Sequence, residues 1–238
     1  MIIAAIRSAA AYVLVSLYVL IVAPPGMLLA LLTGWKRHLH VLGHIGVKLG
    51  LALTGIRYRV HGRERIPKNR AVVFCSNHES NVDPPVLFQA LHKRLHVLFK
   101  AELTKIPVLG KVMVAGGFVP VERDKREASM ASIDRAAESI RSGNTFLIFP
   151  EGTRSKTAEM LPFKKGGFIM AIKAQAPIVP VAVSGGRAAM QKGSWFVRPV
   201  MVDVKIGEAV ETAGMSVDDR DELIEVVRTR IENLRQNK

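Results

Sequence analysis

The chain has 238 residues, 49% of them hydrophobic, with 34 Lys+Arg against 20 Asp+Glu for a formal net charge of +14. A chain this apolar can bury enough surface to offset its conformational entropy, which excludes disorder as its main state, and its length suits one α/β domain with at most a short appendage. The single cysteine, Cys75, excludes an intramolecular disulfide; it sits in the apolar run 71–75 as a small hydrophobe and leaves a cytoplasmic environment as the default.

At the N-terminus charge and hydropathy are unevenly placed. The first acidic residue is Glu64, and residues 1–63 hold Arg7, Lys36, Arg37, Lys48, Arg57, Arg59 and Arg63, so half of the net charge lies in the first quarter. Residues 8–35 carry no formal charge, are broken only by Pro24-Pro25-Gly26, and run straight into Lys36-Arg37-His38-Leu39-His40. Cations flanking an apolar segment point to anionic lipid rather than nucleic acid. Nucleic acid is further opposed by 6% aromatics and by the lack of zinc-ligand spacing.

Residues 8–23 would make a helix of about 24 Å, short of the roughly 30 Å hydrocarbon core, and two prolines remove two backbone donors where a longer span would have to continue. A helix–break–helix hairpin lying in one leaflet therefore ranks first, with its helices meeting near Pro24-Pro25-Gly26 and both ends on the cytoplasmic side. A kinked span ranks second and a cleaved signal peptide last. The second helix runs on through Gly43, Gly46 and Gly50, small residues that permit close helix packing. His38, His40 and His44 have no carboxylate or cysteine nearby to complete a metal set and read as interface residues beside Lys36 and Arg37. Residues 1–54 are thus expected to be a membrane anchor and 55–238 the α/β domain.

After Gly55 the pattern changes. Residues 56–60 alternate with period two, and the apolar runs 71–75, 95–99, 118–121, 145–149, 178–183 and 200–206 have strand length. Met130, Ile133, Ala137 and Ile140 form one helical face before the stop at Gly143; Leu223, Val227, Ile231 and Leu234 form another after an N-cap at Ser216. Asp218, Asp219, Asp221 and Glu222 complement the dipole of that last helix. Strands alternating with helices predict an α/β fold, a mixed, largely parallel sheet flanked by helices.

Chemistry should collect where such strands end. The first loaded end is Ser76-Asn77-His78-Glu79-Ser80-Asn81-Val82-Asp83-Pro84-Pro85. Asp83 before Pro84 reads as a helix N-cap, one carboxylate oxygen capping while the second meets His78 Nδ1. A five-residue offset turns the two side chains about 140° apart on a regular helix, so the pair can touch only if residues 78–82 are not helical. A histidine oriented by a carboxylate is the minimum equipment of a general base, although that spacing alone is more often structural. Ser76 and Ser80 are conceivable nucleophiles, but no Gly-x-Ser-x-Gly elbow occurs. The second end, residues 117–124, and the third, residues 149–155, place Arg123 and Arg154 just beyond apolar runs, and Gly152 permits a tight turn; arginine with backbone donors suits a phosphate dianion.

Taken in order, Asn77-His78 with Asp83, Gly117 with Arg123, the run Phe149-Pro150-Glu151-Gly152-Thr153-Arg154, and Ile178-Val179-Pro180-Val181-Ala182-Val183 resemble the four blocks of the glycerolipid acyltransferases, specifically those acting on 1-acyl-sn-glycerol 3-phosphate. The resemblance implies transfer of a fatty acyl group from acyl-CoA or acyl carrier protein to the sn-2 hydroxyl of lysophosphatidic acid, without an acyl-enzyme, cofactor or metal, on the cytoplasmic side of a membrane. It implies His78 as base and Asp83 as its orienting partner, with Arg123, Gly152, Thr153 and Arg154 on the phosphate. Glu151 would accept from a glycerol hydroxyl or steer an arginine. Asn77, Lys100 and Lys105, with Lys164 and Lys165, are supporting residues or solvated cations. Another lysolipid acceptor, and a catalytically silent basic protein that binds membrane, stand as alternatives.

Overall fold

A computed structural model describes residues 2–122, 126–155, 157, 159–191 and 193–236. It begins with two antiparallel helices, α1 (Ile2–Thr33) and α2 (Arg37–Thr54). The turn between them lies at residues 34–36, ten residues later than the expected break, and α1 runs unbroken through Pro24 and Pro25. Proline removes only the donors that would have met the carbonyls of Leu20 and Ile21, and packing against a neighbouring helix can hold the helix together across that gap. Here α2 supplies the packing. Tyr18 donates its hydroxyl to the Leu42 carbonyl at 2.8 Å, His38 Nε2 lies 2.7 Å from the Gly26 carbonyl, and Gly26, Gly46 and Gly50 admit Leu42, Tyr18 and Val15 respectively. The chain turns instead at Gly34, whose φ of +68° only glycine adopts without strain.

Behind α2, which ends on the left-handed cap of Gly55, the chain alternates as β1 (Arg57–His61), β2 (Val73–Ser76), α3 (Asp83–Ala90), β3 (Leu95–Lys100), α4 (Leu109–Ala115), β4 (Val119–Val121), α5 (Arg126–Arg141), β5 (Thr145–Ile148), α6 (Gly166–Ala174), β6 (Ile178–Ser184), α7 (Gly186–Ala189), β7 (Met201–Ile206) and α8 (Arg220–Gln236). The seven strands form one sheet in the order β1-β7-β6-β2-β5-β3-β4, parallel at every pairing except β6 with β7. Central strands buried on both faces must be apolar throughout, which is why β2 and β5 read as continuous runs in the sequence.

Alternation sorts their side chains into two cores. Val73, Cys75, Phe146 and Ile148 pack with Ile133, Phe168 and Val227 under α5, α6 and α8, whereas Phe74 and Leu147 pack with Val86, Leu87 and Leu51 under α3 and α2. The last helix starts from the expected serine. Ser216 and Asp219 form a reciprocal capping box over a short 3-10 turn that leads into α8, and Leu223, Val227 and Ile231 are buried. Parallel β2 and β5, with β3 and β4 beyond, bring the loaded loops to the same end of the sheet.

Candidate active site

The chain leaves β2 without regular structure over residues 77–80 and turns into α3 at Asp83. That irregular stretch lets His78 and Asp83 meet, Nδ1 to Oδ2 at 3.0 Å, with the carboxylate fully buried and the imidazole 15% exposed. The expected division of labour between the two oxygens is corrected. Oδ2 alone takes His78 and also accepts the backbone N–H groups of Glu79 at 2.6 Å and Ser80 at 2.7 Å, so Asp83 caps the loop before it rather than its own helix. Oδ1 is buried with no hydrogen-bond partner and faces Gly186, where a Cβ would overlap it. Since a carboxylate only accepts, Nδ1 carries the proton and Nε2 is the nitrogen left to take one.

Neighbouring loops fix the histidine from several sides. The Phe149 ring lies 4.3 Å from the imidazole at 30°. Glu151, expected to face substrate, is buried, and both its oxygens are engaged by backbone: Oε1 accepts the His78 N–H at 2.7 Å and Oε2 the Leu161 N–H at 2.8 Å. Burial pushes the Glu151 pKa up, opposed by these two hydrogen bonds. The His78 carbonyl accepts from the Ser155 N–H at 3.0 Å. Asn77 is likewise structural: its side-chain amide donates to the Val183 carbonyl at 2.9 Å and accepts the Val183 N–H at 2.8 Å, tying the loop to β6. Ser76 and Ser80 are fully buried, their hydroxyls bonded to the carbonyls of Asn77 and Met190.

Of the expected phosphate ligands, Arg123 lies outside the described residues. Arg154 and Thr153 line the same cavity as His78, together with Lys164 and Lys100. Gly152 adopts φ +69°, but its N–H closes the turn onto the Phe149 carbonyl at 3.0 Å, so that amide is not turned to a ligand as expected. Lys100 pairs with Glu102 at 2.9 Å, Lys105 is exposed, and Lys165 is drawn to Asp221 at 3.0 Å.

No sequence pattern points to the cavity itself, about 1000 Å³, walled mostly by apolar side chains from α1, α2, α3 and β3 as well as by the loops around His78. Nor does any pattern show that two of the three histidines in α2 face the α/β domain. His44 meets Gln89 Oε1 at 3.1 Å and the Lys93 carbonyl at 3.0 Å. His40 is buried edge-on against His96, ring centroids 4.9 Å apart, with neither ring nitrogen bonded.

Comparison with known proteins gives the chain's relatives. A family model described as acyltransferase matches residues 57–184, which hold His78, Asp83 and the loops around them. A 1-acyl-sn-glycerol-3-phosphate acyltransferase of Limnanthes douglasii is 31% identical over 207 residues, covering 85% of this chain and 73% of that protein. The beta form from Homo sapiens is 33% identical over 172 residues, covering 72% of this chain but only 62% of its own length. The crystal structure of the 1-acyl-sn-glycerophosphate acyltransferase PlsC from Thermotoga maritima superposes with a TM-score of 0.81 at 27% identity, covering 98% of this chain and 96% of that one. With its sheet, its two N-terminal helices and its ordered loops accounted for, the chain belongs to the acyltransferase family, among the 1-acyl-sn-glycerol-3-phosphate acyltransferases.

Proposed function

We propose that this protein transfers a fatty acyl group from an acyl-thioester, acyl-CoA or acyl carrier protein, to the sn-2 hydroxyl of lysophosphatidic acid, giving phosphatidic acid. The observation that carries the reading is the His78–Asp83 pair at 3.0 Å on the wall of an apolar cavity of about 1000 Å³ that Arg154 and Lys164 also line. A cavity of that size and lining suits a fatty chain, and the two cations suit a phosphate.

In the reaction His78 Nε2 takes the proton of the hydroxyl as its oxygen attacks the thioester carbonyl. The carbon–oxygen bond forms, the tetrahedral intermediate collapses with loss of the carbon–sulfur bond, and the imidazolium returns the proton to the departing thiolate. Asp83 holds the tautomer throughout and stabilises the imidazolium. Direct transfer without an acyl-enzyme is supported by the nearby nucleophiles: Ser76 and Ser80 are buried and bonded, and burial pushes the Cys75 thiol well up. A thioester is already activated, so the residues described suffice without metal or cofactor.

Helix α1 is long and apolar enough to cross a membrane, with a mean hydropathy of 2.2 over its most apolar window. We read the pair α1–α2 as a hairpin held in one leaflet with the active site on the cytoplasmic side. Supporting this, α1 begins beside the α/β domain, where the Val197 N–H donates to Ser8 Oγ at 2.8 Å and Arg7 donates to the Leu53 carbonyl at 3.3 Å; both ends of the hairpin therefore lie together.

The test is to offer the purified protein lysophosphatidic acid with acyl-CoA or acyl carrier protein donors and to identify the lipid product by mass. Phosphatidic acid formed by the wild type, and reduced about 10²–10⁴-fold in His78→Ala, is the expected outcome. Acyl transfer to a different lysolipid offered in parallel, without phosphatidic acid, would move the acceptor to that lysolipid, and no thiol release with any acceptor would support a silent membrane-binding protein.

A further inference from the structure

Between α7 and β7, residues 193–200 form a loop that carries two adjacent aromatic rings outward. Trp195 is 78% exposed and Phe196 50%. Single exposed apolar side chains are ordinary on a protein surface, but a Trp-Phe pair turned to water together is a feature of surfaces that meet something apolar.

The loop is not loosely placed. Ser194 donates its N–H to the Gln191 carbonyl at 3.0 Å, and its hydroxyl accepts the Phe196 N–H at 3.1 Å, which sets the local turn. Two contacts then fasten the loop to α1: Tyr12 donates its hydroxyl to the Trp195 carbonyl at 2.8 Å, and the Val197 N–H donates to Ser8 Oγ at 2.8 Å. Ser8 and Tyr12 are four residues apart and so share one face of the helix. Ser8 and Val197 are buried, while Tyr12 is 42% exposed, so the line of contact runs from the protein interior to its surface. On the far side of the helix from Ser8 and Tyr12, α1 presents Ile3, Ile6, Val13, Leu17, Leu20 and Ile21 to the outside, so the aromatic pair lies against the flank of the helix that faces the α/β domain.

We propose that Trp195 and Phe196 are a second lipid-inserting element, which enters the headgroup region of an anionic phospholipid bilayer next to α1 and sets the tilt of the α/β domain on the membrane. The proposal rests on the reading of α1 as a membrane anchor. Tryptophan favours the bilayer interface because its ring is apolar and its indole N–H still reaches polar groups. The charge beside the pair matches an anionic partner: exposed Arg198 follows within two residues, and Arg7 of α1 packs against Gly55 together with Pro199 at the end of the loop. Tyr12 and Val197, which fasten the loop, also line the cavity that holds His78. Insertion of the aromatic pair would hold that wall of the cavity at the bilayer surface, where a lysolipid resides.

The chain contains two tryptophans, Trp35 and Trp195, which makes the test direct. Trp35→Phe leaves Trp195 as the only indole and Trp195→Phe leaves Trp35; both positions are exposed, and phenylalanine keeps a ring beside His38. Each full-length variant is reconstituted into phosphatidylglycerol–phosphatidylcholine vesicles, with or without lipids brominated on their acyl chains, and its fluorescence is titrated with iodide. The expected result for Trp35→Phe is blue-shifted emission, most of it lost to brominated lipid and little of it to iodide. If Trp195 is instead quenched by iodide and untouched by brominated lipid while the protein floats with the vesicles, the second insertion site is overturned and the α1 anchor stands. If neither variant floats with the vesicles, the anchor reading fails and the second site with it.

Discussion

Asp83 Oδ2 serves His78 and two backbone amides at once, so removing the carboxylate and removing the base should have different signatures. His78→Ala should abolish the proton transfer, about 10²–10⁴-fold in kcat, with little change in thermal unfolding, because the ring lies at the cavity wall. Asp83→Ala should reduce kcat and also lower the Tm, since it leaves the buried Ser80 N–H unpaired at about 1–3 kcal/mol and the part-buried Glu79 N–H at less; Asp83→Asn keeps an acceptor and should be milder in both readouts. Near-normal turnover in His78→Ala would sink the mechanism. On the proposed function Arg154 acts in binding, so Arg154→Ala should raise KM for lysophosphatidic acid, with a loss of roughly one to two decades in kcat/KM, and leave the donor KM much less changed. Arg154→Lys should rescue poorly, because an ammonium lacks the planar two-pronged donor. A defect confined to the acyl donor would place Arg154 on the thioester side.

His40 gives a pH dependence whose sign follows from its surroundings. Burial, with His96, His44 and Arg94 adding unfavourable charge, pushes its pKa down to about 4, whereas in the unfolded chain it titrates near its ordinary value of 6.5. Between these values the unfolded state binds more protons, so stability rises with pH through the window and is lost as pH falls from about 6.5 towards 4. Thermal unfolding of the detergent-solubilised protein over that range should show His40→Phe losing less than the wild type. Equal slopes would mean that the imidazole finds a partner when charged.

At the level of elements, the same helix offers two glycines with opposite expectations. A Cβ at Gly46 would come 2.7 Å from the Tyr18 ring, which is itself held by its bond to Leu42, so Gly46→Ala should destabilise the helix pair by about 1–3 kcal/mol. A Cβ at Gly43 would meet Phe88 at 3.5 Å, an ordinary contact, so Gly43→Ala should be neutral or gain up to about 1 kcal/mol from helix propensity. Differential scanning of the two variants checks the contrast. The central strands were legible because buried parallel strands leave unbroken apolar runs, the half-exposed β1 because its residues alternate with period two, and α5 and α8 because each keeps one apolar stripe. The end of α1 was misread because the proline rule describes a helix alone, and α1 is packed along α2. His78 and Asp83 could be found in sequence since the loop between them is short. The backbone bonds of Glu151 could not, because they join loops that only the β2–β5 pairing brings together.

For the molecule as a whole, the contacts of Arg7 and Ser8 with the base of the hairpin and with Val197 bring the chain's start to the α/β domain. Peptide tags added at the N-terminus and at the C-terminus should therefore be cleaved by protease from the same side of sealed vesicles. Protection of one tag where the other is cut would favour a kinked span.

The reversed strand β7 carries a consequence for how the chain is made. β1 follows directly from the hairpin, yet among the described residues its one strand neighbour in the sheet is β7, in the register Arg57 with Met201, and of the described strands β7 is the last to leave the ribosome. At about 5–20 residues per second the intervening segment takes on the order of ten seconds to emerge. During that interval the hairpin is already available to lipid, while β1 waits with open backbone groups beside it. A nascent chain halted before residue 200 should reach the membrane and fail to close its sheet, so that arrest, rather than substitution, is the perturbation that separates membrane targeting from folding.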